Sequence, residues 1–120
     1  MEDLRYTAKL VLYRSDKFFG PGIVELLQRV QLSHSLSKAS KQMSLAYTKA
    51  LRMVKDAEAG LGFKLLNQKI GGISGGGSKL TDEAIEVIAL YETFDNAIVT
   101  TADKEFITFK EAIEKMRPSK

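Results

Sequence analysis

The chain has 120 residues, 18 Lys+Arg against 15 Asp+Glu, and a formal net charge of +3. A hydrophobic fraction of 44% with 28% charged residues is the mix of a globular domain and excludes a disordered chain. No apolar run approaches the roughly 18 residues of a membrane span, and the charged start Met1-Glu2-Asp3-Leu4-Arg5 lacks a signal-peptide core. The absence of cysteine excludes disulfides, thiolate metal sites and cysteine nucleophiles, and agrees with a cytoplasmic location. With His34 as the sole histidine, no metal centre and no cofactor are expected.

Tyr6 to Tyr13 alternates and is rich in β-branched and aromatic residues, which predicts a strand. Gly20-Pro21 punctuates the chain, and Pro21 suits the first position of a helix whose apolar face is Ile23, Leu26, Leu27 and Val30. After Leu32-Ser33-His34-Ser35, Ser37 is a natural N-cap for a short helix from Lys38 to Met43. A third helix is expected from Tyr47 to Ala59, with Ala50, Val54, Ala57 and Leu61 inward and Gly60 and Gly62 as its stop. Phe63 to Leu66 and Ser78 to Leu80 read as partner strands. Between them, Gly71-Gly72-Ile73-Ser74-Gly75-Gly76-Gly77 has too much backbone entropy to lose for a helix or packed strand, and reads as a loop flanked by Lys69 and Lys79.

Thr81-Asp82-Glu83 caps a further helix, with its acids at the favourable end. Ala84, Val87, Tyr91, Phe94 and Ile98 step three, four, three, four, as a coiled-coil seam does; Ala102, Phe106, Phe109, Ile113 and Met116 form a second seam. The joint between them is four residues where three is due. Thr100 and Thr101 are poor mid-helix residues and Asp103 can cap, so a break is expected near residues 100–103. So long an amphipathic segment cannot all fold back on a small body, and part of the seam is expected to bury against a second copy.

The net charge conceals an asymmetry. Residues 1–80 hold 13 Lys+Arg and 6 Asp+Glu, whereas residues 81–120 hold 5 and 9. A basic body with an acidic segment suits a polyanion on one part and its avoidance by the other.

The glycine loop matches no nucleotide motif: Lys79 lies between Ser78 and Leu80, outside the Gly-Lys-Ser/Thr pattern, and Leu80 stands where a dinucleotide fold needs its third glycine. With one histidine there is no Ser–His–Asp set, and no enzymatic activity is expected. Two short helices joined by a tight turn fit a helix-turn-helix, whose second helix would offer Tyr47, Thr48, Lys49, Arg52 and Lys55 to solvent. The plainer alternative is a three-helix domain with solvated lysines.

Ser35-Leu36-Ser37-Lys38-Ala39-Ser40-Lys41-Gln42-Met43 followed by Ala46-Tyr47-Thr48-Lys49-Ala50 resembles the winged helix-turn-helix of ModE-type molybdate-responsive regulators, related to the LysR-type DNA-binding domain. The stretch from Leu66 to Thr81 resembles the glycine-rich wing of that family, and the likeness spans about residues 6–100. It implies a mainly α fold with a small β-wing: a winged helix-turn-helix over residues 1–80 and C-terminal dimerisation helices over 81–120. It further implies a cytoplasmic, homodimeric transcriptional regulator binding double-stranded DNA, with Tyr47, Thr48, Lys49, Arg52 and Lys55 on the recognition helix. Ser37, Lys38, Lys41, Lys69, Ser74 and Lys79 would face phosphates or form the wing. Val87, Tyr91, Phe94, Ile98, Phe106, Phe109 and Ile113 would form the dimer interface. The family usually has serine at the place of Ala46 and an acidic–arginine pair at Asn67 and Gln68. The sequence stops before the oxyanion-binding domains of such regulators, so molybdate sensing is not expected and no small-molecule effector is evident. A dimeric protein-interaction module on the same scaffold is the alternative from a different class.

Overall fold

The computed structural model describes residues 2–69 and 77–118. Over the described residues it is mainly helical, with two antiparallel two-stranded sheets. The strand expected over Tyr6 to Tyr13 shrinks to β1 (Leu12–Tyr13), paired with β2 (Lys17–Phe19), Leu12 opposite Phe19 and Tyr13 opposite Lys17. Tyr6 is engaged elsewhere: its ring lies 4.8 Å from that of Phe106 and its hydroxyl donates to Asp103.

Helix α1 (Pro21–Ser33) starts at Pro21, whose missing N–H costs nothing in a first turn, and ends at His34 in the left-handed region (φ 58°). Helix α2 (Leu36–Gln42) begins one residue after Ser35, not after Ser37. Ser35 Oγ accepts from the Lys38 N–H at 3.0 Å, because Leu36 is buried and belongs inside the helix. Ser37 sits in the first turn, and its carbonyl accepts from Ser40 Oγ at 2.8 Å. Helix α3 (Tyr47–Leu61) follows a turn in which Ser44 has φ 56°. Its N-cap is Ala46, with no side-chain hydrogen bond, so Ser44 does not replace the cap. The loss relative to a capping serine is about 1 kcal/mol.

Gly62, at φ 90°, closes α3 by donating to the Glu58 carbonyl at 2.8 Å. Gly60 is a different case, since it lies within the helix. A Cβ there would stand 2.2 Å from Phe18 Cγ, so its bare backbone is what admits the ring of Phe18. The hairpin of β3 (Leu66–Lys69) and β4 (Gly77–Leu80) lies three residues later than Phe63 on its first strand, with Leu66 opposite Leu80. Thr81 then caps as expected: its Oγ1 accepts from the Ala84 N–H at 3.0 Å and donates to the Lys64 carbonyl at 2.8 Å.

The expected break near residues 100–103 does not occur; α4 (Asp82–Met116) is one helix of 35 residues. Two threonines cost only tenths of a kcal/mol each in helix propensity. The carboxylate of Asp103, the proposed cap, instead accepts from Tyr6. The four-residue joint is a stutter within a continuous helix.

The chain packs as two units, Lys9–Ala89 and the described residues of Met1–Ala8 with Leu90–Lys120. In the larger, α1 is the hub, packed by α2, α3, β2 and β4. Leu26, Leu27 and Val30 are fully buried, and Ala39, Ala50 and Ala57 let the helices approach closely. Each buried leucine contributes about 1.5–3 kcal/mol relative to exposure. In the smaller, residues 2–8 run along α4 through Tyr6, whose hydroxyl pKa is raised by its hydrogen bond to Asp103. Among the described residues no helix is long and apolar enough to cross a membrane.

Gly60→Ala separates helix propensity from packing. The alanine favours an isolated helix by up to about 1 kcal/mol, but the displaced Phe18 ring costs about 1–3 kcal/mol. Chemical denaturation is expected to show a net loss of about 1–2 kcal/mol, and Phe18→Ala in the same chain is expected to abolish that loss. A Gly60→Ala variant as stable as the parent contradicts this packing.

Candidate nucleic-acid interface

Helix α3 buries Ala50, Val54 and Ala57 and turns Thr48, Arg52 and Lys55 outward, with spacings of four and three that place them on one ridge. Tyr47 and Lys49 border that ridge, and all five side chains are exposed. Tyr47 is partly engaged, its hydroxyl accepting from Gln68 Nε2 at 3.4 Å. Lys55 lies 3.9 Å from Glu58.

Each flank of the ridge carries a sheet. On one side, Glu58, only 12% exposed, accepts from the N–H groups of Leu65 at 2.8 Å and Leu66 at 3.3 Å. The start of β3 is thereby tied to the last turns of α3, and Gln68 touches Tyr47 near the first turn. On the other side run Lys49, Met53, Asp56 and Gly60, again at steps of four, three and four. The first three share a cleft with Lys9, Lys17 and Phe18, while Phe18 packs on Gly60. Arg14 Nε, in the β1–β2 turn, donates to the Gly60 carbonyl at 2.9 Å and holds the hairpin along the helix.

The other sheet is also fixed to the junction of α1 and α2. The Ser78 N–H donates to the His34 carbonyl at 2.9 Å, and the buried Ser78 Oγ accepts from the Leu36 N–H at 3.3 Å. Gly77 fits beside that carbonyl, where a Cβ would lie 3.3 Å away. This places exposed Lys79 on β4, opposite Asn67, while Lys38 and Lys41 are exposed on α2 and Ser37 is exposed in its first turn. Ser74 and the side chain of Lys69 lie outside the described residues.

The seam on α4 divides by exposure. Tyr91 is 8% exposed, with its hydroxyl pKa raised by burial and then by the charge of Asp95. Val87, Ile98 and Ile113 are half-buried, and Phe106 is half-buried beneath Tyr6. Phe94 and Phe109 are exposed, and so are Leu90, one turn before Phe94, and Met116, two turns beyond Phe109.

Four residues organise this surface in roles that no motif assigns them. Ser35, Glu58, Gly60 and Ser78 each act by hydrogen bond or by absence of a side chain. Ser35 and Ser78 fall in the helix-turn-helix-like and glycine-rich stretches and Gly60 reads as a helix stop, while Glu58 is one of only two acids beside eight basic residues over 36–80. The surface offers hydrogen-bond donors and cations between two hairpins, which is anion-binding chemistry. Among the described residues no group of three or more His, Asp or Glu side chains converges as a metal site.

No protein-family model matches the chain, and no curated protein matches it either.

Proposed function

We propose that the protein is a winged helix-turn-helix regulator that binds duplex DNA as a homodimer, with α3 in the major groove and the β3–β4 hairpin as the wing. One observation carries the reading: the ridge of Thr48, Arg52 and Lys55, with Lys49, stands exposed between two hairpins pinned to the same helix. Its unit holds twelve Lys+Arg against seven Asp+Glu, while the other unit holds six against eight. Such a surface gains affinity by releasing counterions from phosphates.

Arg52 and Lys49 read base edges, Arg favouring guanine O6 and N7, and Thr48 meets a phosphate or a thymine methyl. Tyr47 and Lys55 border the groove. Lys38, Lys41 and Lys79 hold phosphates, which fix register without carrying sequence information. Helix α4 pairs two copies through Phe94 and Phe109 with Leu90 and Met116, which are 52%, 57%, 61% and 80% exposed. Exposed apolar side chains at this density on one helix favour burial against a partner. The two recognition helices then meet half-sites about 34 Å apart or a multiple of that.

Arg52→Ala is expected to relax sequence preference, costing about 1–3 kcal/mol on the preferred site and little on random duplex. Lys79→Ala is expected to weaken all duplexes alike and to flatten the salt slope by about one. Fluorescence anisotropy at two salt concentrations separates the two, and equal losses on both DNAs for both variants contradict the assignment. Binding that is absent or independent of salt favours the protein-interaction module instead. For the dimer, analytical ultracentrifugation is expected to give twice the chain mass for the parent and a folded monomer for Phe94→Glu/Phe109→Glu. A parent that sediments as a monomer at every concentration rules out the α4 interface.

A further inference from the structure

On the β1–β2 side of α3, only Lys49 enters the scheme above. Yet a cleft of about 570 Å³ lies there, walled by Lys9, Lys17 and Phe18 on one side and by Lys49, Met53 and Asp56 of α3 on the other. Three lysines line it, with Asp56 its one acidic residue; Asp16 lies nearby, on a depression shared with Lys9 and Lys17. Among the described residues none of the three lysines has a carboxylate within 4.0 Å, the ion pairs being Arg29 with Glu25 and Lys55 with Glu58. All three are exposed, so a phosphate reaches them at little desolvation cost. The cleft is also rigidly held, since Phe18 seats in the gap at Gly60 and Arg14 is bonded to the Gly60 carbonyl.

We propose that Lys9 and Lys17, across the cleft from the base-reading Lys49, form a second phosphate-binding flank for duplex DNA, on the side of α3 opposite the β3–β4 hairpin. The inference rests on the DNA-binding reading and extends it: the protein grips the duplex backbone on both sides of the recognition ridge. The row Lys49, Met53, Asp56 and Gly60 is adjacent to the ridge of Thr48, Arg52 and Lys55, so a duplex that takes the ridge into its major groove brings its phosphate backbone to the cleft. A duplex carries one charge per roughly 1.7 Å of axis and satisfies separated cations at once, as a lone small anion does not.

The probe is a random-sequence duplex of about 30 bp, about three helical turns, because phosphate contacts are independent of sequence. The parent chain is compared with Lys9→Ala/Lys17→Ala, Lys9→Arg/Lys17→Arg and Lys79→Ala, with circular dichroism and melting confirming that each is folded. Two lost contacts at a slope of about 0.9 each lower the salt slope by about 1.8, and weaken binding by about 60-fold at about 0.1 M salt. The arginine pair is expected to restore both.

An alanine pair with parental slope and affinity, alongside a weakened Lys79→Ala, overturns the second flank and leaves the DNA reading standing. An arginine pair as weak as the alanine pair shows a structural defect and also overturns it. A parent chain that binds no duplex at either salt concentration removes the DNA reading and this inference together.

Discussion

Helix α3 is held on three sides, and the surface that the protein offers to a polyanion depends on that constraint. Its inner face is buried through Ala50, Val54 and Ala57. One flank is fixed by the Glu58 carboxylate, which takes two backbone N–H groups at the start of β3. The other is fixed by the bare backbone of Gly60, against which Phe18 lies. A carboxylate bonded to backbone N–H groups resists loss more than a neutral pair, since its removal leaves two orphaned donors. With three sides committed, what is left to solvent is a ridge of hydroxyl, guanidinium and ammonium groups in fixed register with two hairpins.

Much of this architecture is visible in the amino-acid order, where period and punctuation agree. Pro21 opens α1, Gly62 closes α3, and Thr81 caps α4, each at the position its chemistry dictates. The pairing across the glycine loop holds with its first strand shifted, because Glu58 holds the N–H groups of Leu65 and Leu66 at the strand's start. Errors arise where a distant partner decides. Ser35 and Ser37 are equivalent as sequence, and the burial of Leu36 selects Ser35. Asp103 has the pattern of a cap, but Tyr6, 97 residues away in sequence, occupies its carboxylate and α4 runs on. The three residues of β2 are too few to show alternation. Gly60 reads as a stop because local pattern cannot reveal an aromatic ring from another element. Of the candidate site, the exposed face of α3 and the position of Lys79 are legible; the clamps that orient them are not.

The modest net charge also resolves into physical parts. The excess of cations belongs to the unit that contains α3 and both hairpins, and the excess of acids to the unit formed by the rest of α4 with the N-terminal residues. Under the proposed function these are complementary tasks: the basic unit is drawn to phosphates and the acidic one is kept from them. Separating the charges on one chain favours a single orientation of encounter.

The central claim is that the outward ridge of α3 and its flanking hairpins meet duplex DNA. Amide chemical-shift mapping of the isotope-labelled full chain during titration with duplex at low salt tests it most directly. The account predicts shifts concentrated on Tyr47 to Lys55, on Lys79 and on the β1–β2 segment, reversed by added salt, with the exposed turns of α4 beyond Leu90 unchanged. Shifts confined to α4, or none at any duplex concentration, would contradict it.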